Sequence, residues 1–200
     1  MSIQPVSVLY IDDSIDPNLS RYLDEYCSNA DTSDLIYEEE PFLKGDTYEQ
    51  LLRKESVRTA NVVLIDSKLF EEADLGSGMF TGEEFRVILN KLFPYIEVIV
   101  ISQNILPITQ GVVEKCKKFK NYEEIKAYYD EKLLAKLNER VDIVRETRQI
   151  VARLRNEKSI DQALVEKLNR AVNGTNEYDE LKVSDIDRIV QAFQELIAKG

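Results

Sequence analysis

The chain contains no histidine at all and only two cysteines, Cys27 and Cys116, which do not stand at metal-ligand spacing. Zinc sites and Ser-His or Cys-His nucleophilic catalysis are therefore excluded, and any metal must bind through oxygen, which favours magnesium or calcium. No apolar run approaches the length of a membrane span, and the opening Met1-Ser2-Ile3-Gln4-Pro5 lacks the basic and apolar regions of a signal peptide. The expectation is a cytoplasmic protein without a membrane partner. With 44% apolar residues in 200, the chain has enough to build a real core. Charge is uneven. Residues 137–200 carry 11 Lys+Arg against 12 Asp+Glu, so nearly all of the net −11 lies in residues 1–136. An acidic body of this kind predicts a protein or cation partner and no nucleic acid.

What is present is organised around Asn61-Val62-Val63-Leu64-Ile65-Asp66. A continuous apolar run too short for a helix predicts a strand covered on both faces, as in a parallel sheet between helices, where ligands sit beyond the carboxyl ends of the strands. Val6-Ser7-Val8-Leu9-Tyr10-Ile11 repeats the pattern and also ends in acid, Asp12-Asp13. Asp16-Pro17 starts a helix running to about Asn29. Leu35 to Phe42 is a weaker strand, and Tyr48, Leu51, Leu52 and Val57 mark a returning helix. After a long loop from Ser67 to Phe80, with acids Glu71, Glu72 and Asp74, Thr81 caps a helix bearing Phe85, Ile88, Leu89 and Leu92. Glu97 to Ser102 is a buried strand ending in a hydroxyl. Gly111-Val112-Val113-Glu114-Lys115 is a fifth, with Lys at its tip, and a further helix starts near Tyr122.

Over residues 5 to 137 this series resembles the receiver domain of two-component response regulators. The matched elements are Ile11-Asp12-Asp13, Val62 to Asp66, Thr81-Gly82, Ile101-Ser102 and Gly111 to Lys115. With its tail, the plan is similar to receiver-like proteins of bacterial defence loci. The resemblance implies an α/β, flavodoxin-like (βα)5 fold with a five-stranded parallel sheet, followed by an all-α extension. The 13 residues from Ser102 to Lys115 are too few for a full helix between the last two strands, so the fourth helix is expected to be reduced.

Three carboxylates, Asp12, Asp13 and Asp66, converging on a small volume repel one another unless a hard cation such as Mg2+ binds them. In this reading Asp66 accepts a phosphoryl group, Lys115 neutralises one of its oxygens and Ser102 donates a hydrogen bond to another. The resemblance adds a histidine kinase or phosphotransfer protein upstream and a protein effector downstream. Val112 stands where many receivers have a switching aromatic, and Gln103 where a small residue is usual. Two alternatives stay open: a pseudo-receiver adaptor that signals without phosphate, and an Asp-nucleophile phosphatase, ranked lowest because Lys68 stands where that chemistry needs a second acid. The bland readings are that Asp12-Asp13 is a cap and a turn acid, that Ser102 is a strand-end hydroxyl, and that Lys115 joins a solvated cluster with Lys117, Lys118 and Lys120.

The tail, residues 137–200, is expected as a three-helix interaction module beside a receiver-like domain at 1–136. Apolar positions at helical spacing run from Ile125 through Leu133, Leu137, Val141, Val144 and Val151 to Leu154, with a break near Asn138 as the alternative to one long helix. Ser159 with Gln162 caps a second helix ending at Asn173-Gly174, and Ser184 starts a third. Arg140, Arg145, Arg148, Arg153 and Arg155 interleave with acids, which predicts a solvated, salt-bridged face. The stripe is too long for the receiver alone to cover, so a homodimer through the C-terminal helices is expected.

Overall fold

The computed structural model describes residues 4–28, 34–70, 81–103, 112–117, 121–156 and 161–174. The chain runs β1 (Val6–Asp12), α1 (Pro17–Ser28), β2 (Leu35–Pro41), α2 (Tyr48–Arg53), α3 (Glu55–Thr59), β3 (Val62–Asp66), α4 (Gly82–Leu92), β4 (Glu97–Ser102), β5 (Val112–Glu114), α5 (Tyr122–Lys132), α6 (Leu134–Leu154) and α7 (Gln162–Val172). The five strands form one parallel sheet in the order β2-β1-β3-β4-β5. This is a doubly wound α/β architecture, whose strand order reverses between β1 and β3. The strands expected at residues 6–11, 61–66 and 97–102 are present within a residue. The loop acids Glu71, Glu72 and Asp74, the connection at 104–111 and the third tail helix lie outside the described residues.

Strand alternation divides the core. Leu9, Ile11, Val63, Ile65, Val98 and Val100 face α2, α3 and α4. Val8, Tyr10, Val62, Leu64, Ile99 and Ile101 face α1, α5 and α6. Both faces are dry, which is why these runs are continuous and not alternating. Capping boxes start α2 at Thr47/Gln50 and α4 at Thr81/Glu84. Asp16 opens α1 by accepting the Asn18 amide at 2.9 Å.

Sequence and structure part company at the tail. The long helix breaks at Leu133, not near Asn138, and α6 lies back across the sheet. Leu133, Leu137 and Val141 are wholly buried, in the same cluster as Val8, Tyr10 and Leu64. The stripe that motivated a dimer is thus covered by its own sheet as far as Val144, and Val151 beyond it is also buried, so that motive is largely gone. The division expected at 136/137 runs through this helical layer.

Of the arginines expected in a solvated face, Arg153 and Arg155 are exposed, whereas Arg140, Arg145 and Arg148 seat that layer. Arg140 bonds Glu97 at 2.9 Å, where β4 starts. Arg145 takes Asp34 with two nitrogens, at 2.6 and 3.0 Å, just before β2. Arg148 donates to the Gln4 carbonyl at 2.7 Å and to Asn61 Oδ1 at 2.9 Å, beside the starts of β1 and β3. α6 thereby closes the amino end of the sheet. α7 is capped by Asp161, with the Ser159 position outside the described residues. Just past its C-cap Asn173 stands Gly174, whose φ of +67° suits glycine, and a Cβ there would lie 2.6 Å from the Thr59 carbonyl oxygen.

Candidate functional site

The carboxyl ends of β1, β3 and β5 meet in a cleft of about 380 Å3. Its wall includes Asp12, Asp13, Asp66, Lys68, Gln103 and Lys115. Asp12 is the last residue of β1 and is almost fully buried; Asp66 ends β3 and is also buried. Asp13, one residue past its strand, is exposed at the mouth. Lys115 follows β5 and is 7% exposed, which rules out the reading that places it in a solvated basic cluster. Lys117, by contrast, is exposed and lies 3.7 Å from Glu114.

The Lys115 ammonium stands 2.6 Å from Asp12 Oδ2 and 3.7 Å from Asp66 Oδ1. The other oxygen of Asp66 accepts the Lys68 amide at 2.8 Å. Asp12 Oδ1 accepts the Ser14 amide at 3.0 Å, and its Oδ2 also accepts the hydroxyl of Tyr10. Tyr10 was not singled out in the sequence. It is fully buried, two residues before Asp12 on the same strand face, and the period of two is the signal that relates them. Ser102 is buried at the end of β4, and its carbonyl accepts the Lys115 amide at 2.8 Å. Asp66 pairs in register with Ile101, so Ser102 ends the strand beside it.

α4 is pressed against this end. A Cβ on Gly82 would lie 2.5 Å from the Asp66 carbonyl oxygen, so the Thr81-Gly82 step is a close backbone approach that only glycine allows. The Gly82 amide donates to the Ser67 carbonyl at 2.9 Å.

The electrostatics follow from burial first and from the closeness of the three acids second, with Lys115 set against Asp12 and Asp66. Loss of water to the cleft walls, then the hydrogen bond and charge of Asp12 and the charge of Asp66, push Asp13 up to about 6. Burial, then the charge of Asp12, also raise Asp66, against the pull of the Lys68 amide and Lys115. Burial alone would lower Lys115, but its bond to Asp12 and the charges of Asp12 and Asp66 outweigh that and hold it above the ordinary lysine range. Burial, with the neighbouring Asp12 charge, keeps the Tyr10 hydroxyl protonated.

Magnesium can be tested against this donor set. The side chains of Asp12, Asp13 and Asp66 offer only hard oxygens, and Asp13 and Asp66 are raised first by burial and then by neighbouring carboxylate charge, so the donor chemistry is of the kind a hard divalent cation takes. Among the described residues no three acids are grouped as a ready-made ligand set. Lys115 and Tyr10, both bonded to Asp12, are what meets its charge in this arrangement.

No family model matches the chain, and no curated protein matches it. Two solved structures resemble it in coarse fold. One is described as two RcsB dimers bound to two parallel DNAs; it is 14% identical, covers 84% of this chain and 90% of its own, and has a TM-score of 0.40. The other is described as the two-component response regulator RcsB-DNA complex, at 14% identity, 92% and 98% coverage and a TM-score of 0.38. Both are DNA complexes, and the expectation that nucleic acid is excluded as a partner is accordingly withdrawn. No described helix is long and apolar enough to cross a membrane.

Proposed function

We propose that this protein is a receiver-type signalling module that accepts a phosphoryl group on Asp66. The observation that carries the reading is the Lys115 ammonium held between the carboxylates of Asp12 and Asp66 in a cleft at the strand ends. One oxygen of Asp66 is fixed by the Lys68 amide, while the other is the one nearer Lys115. An attacking oxygen beside a buried ammonium is well served, because the cation stabilises the charge that gathers on the incoming phosphoryl group. The bond from phosphorus to the donor's leaving group breaks with its electron pair as the bond to Asp66 forms, leaving an acyl phosphate. Ser102, at the next strand end, supplies the hydroxyl for a phosphoryl oxygen. Asp12, Asp13 and Asp66 would hold magnesium, which when bound supplies charge neutralisation of the phosphoryl oxygens.

A second reading is favoured by one specific observation. Lys115 and Tyr10 already satisfy Asp12, so the cleft is partly neutralised from within and could serve a phosphate-independent adaptor. Intact-mass measurement after incubation with acetyl phosphate and magnesium, and a beryllofluoride adduct read by fluorine resonance, separate the two. The phosphoacceptor reading expects a single adduct in wild type and none in Asp66→Asn. Absence of any adduct in wild type, together with no melting shift in millimolar magnesium, would establish the adaptor.

A further inference from the structure

The side chain of Lys115 reaches into the cleft from the residue just past a three-residue edge strand, yet its ammonium is held to within hydrogen-bond distance of Asp12. Something must fix the backbone that carries it. The Lys115 amide is tied to the Ser102 carbonyl at 2.8 Å, which secures one side of the residue to β4. The groups on either side of it are tied to α5. The Tyr128 hydroxyl donates to the Glu114 carbonyl at 3.1 Å, and the Tyr129 hydroxyl accepts the Cys116 amide at 3.2 Å. Adjacent residues of one helix thus grip the peptide before Lys115 and the peptide after it.

The grip is itself braced. Tyr129 is fully buried, and its ring lies 5.3 Å from that of Tyr22 on α1 and 5.5 Å, edge-on, from that of Tyr128. Tyr22 in turn donates its hydroxyl to Asp130 of α5 at 3.0 Å. A tyrosine has only two side-chain torsions, so once its ring is packed its hydroxyl is an accurate peg. Position 112, by contrast, holds a valine, which packs in the opposite core layer and has no polar group to offer.

We propose that Tyr129 and Tyr128 are positioning residues of the cleft: by holding the peptides that flank Lys115, they set where its ammonium stands between Asp12 and Asp66, and they link that position to the seating of α5. The functional importance of that position rests on the proposed role of the cleft, but the geometry does not depend on a phosphoryl group.

The test uses the full chain labelled with nitrogen-15 at lysine, and reads the Lys115 ammonium resonance, assigned by its loss in Lys115→Gln. Lys54, paired with Glu40 at 2.8 Å elsewhere in the molecule, is the internal reference. Tyr129→Phe is expected to broaden or shift the Lys115 resonance while Lys54 stays in place, and to speed hydrogen exchange of the Cys116 amide about fivefold, as loss of one hydrogen bond implies. Tyr128→Phe, at a half-buried position, should shift the Lys115 resonance less and keeps the test open if Tyr129→Phe does not fold. A Lys115 resonance unmoved in both folded variants would overturn the proposal, as would equal movement of Lys54. Because these signals are read without any phosphodonor, they are independent of the adduct experiment: wild type that forms no adduct fails the phosphoacceptor reading and leaves this result to stand or fall by itself.

Discussion

The two ends of the sheet handle charge in opposite ways. At the carboxyl end, Asp12 and Asp66 share one buried lysine while Asp13 stands beside them at the mouth, and Asp13 and Asp66 are pushed up. At the amino end, acids meet arginines: Asp34 with Arg145 and Glu97 with Arg140, both near the surface. The hydrogen bond from Arg145 holds Asp34 below the usual carboxylate range despite some burial. One end holds acids that burial and mutual charge have raised, and the other is closed by pairing. A site that is to bind something charged must keep such an imbalance, whereas a seam between a helix and a sheet is more stable without one.

The largest expected effect breaks the amino-end seam. Leu137 is wholly buried between α6 and the sheet, so Leu137→Ala should cost roughly 2–5 kcal/mol in urea unfolding. A chain ending at Lys136 loses Leu137, Val141 and Val144 together and should show no cooperative transition by circular dichroism. A folded, cooperative chain of that length would show that α6 is an appendage and not part of the core layer.

Each end also has a glycine pressed against a carbonyl, and substituting them compares the ends directly. Gly82→Ala drives a Cβ to 2.5 Å from the Asp66 oxygen, and Gly174→Ala drives one to 2.6 Å from that of Thr59. Each should cost roughly 1–3 kcal/mol of stability. Only Gly82→Ala should also weaken adduct formation on Asp66, since only it moves the cleft. Equal adduct yields in the two variants would mean that the α4 approach does not set the position of Asp66.

Single-charge changes should shift the melting temperature in opposite directions. Asp13→Asn relieves repulsion and is expected to raise it at neutral pH. Arg145→Gln removes a partly exposed two-nitrogen contact with Asp34 and should lower stability by on the order of 1 kcal/mol, after allowance for solvent screening. A drop for Asp13→Asn would mean that its carboxylate is paired in a way the cleft geometry does not indicate.

The smallest effect is in pH dependence. Asp13 is pushed up to about 6 from an ordinary value of 3.8, so the folded state binds its proton more readily, and lowering the pH through that interval adds stability. Asp34 is lowered, so its contribution is complete above 3.8 and is lost as pH falls below it. Urea titrations across this range should show the first change vanish in Asp13→Asn and the second in Arg145→Gln.

Much of this was legible in the residues alone. The uninterrupted apolar runs at Val62–Ile65 and Val98–Ile101, and the run at Val6–Ile11 broken only by Ser7, pointed to buried parallel strands, since strands dry on both faces can be apolar at nearly every position. The acids and the lysine that end such runs had to emerge at one edge, so the cleft of Asp12, Asp66 and Lys115 was readable without coordinates. The grouping within it was not. That Lys115 contacts Asp12 more closely than Asp66, that Tyr10 takes the same oxygen, and that Tyr128 and Tyr129 hold the peptides around Lys115 depend on distances between elements, which periodicity does not carry.

The tail shows the same limit. Helical spacing from Ile125 to Leu154 specified an apolar stripe, but a stripe does not say what covers it. A turn at Leu133, one of the stripe's own residues, sends α6 back over the sheet and converts a surface that invited a second chain into a core face. The arginines on that helix follow the same logic. Their interleaving with acids at short range suggested local pairing on a solvated face, and Arg145 does meet Asp142 three residues away, but Arg140, Arg145 and Arg148 also find partners 43 to 144 positions away along the chain. Those partners become neighbours only when the strands they precede are lined up in one sheet, because a fixed surface brings together charges that local spacing along the chain cannot.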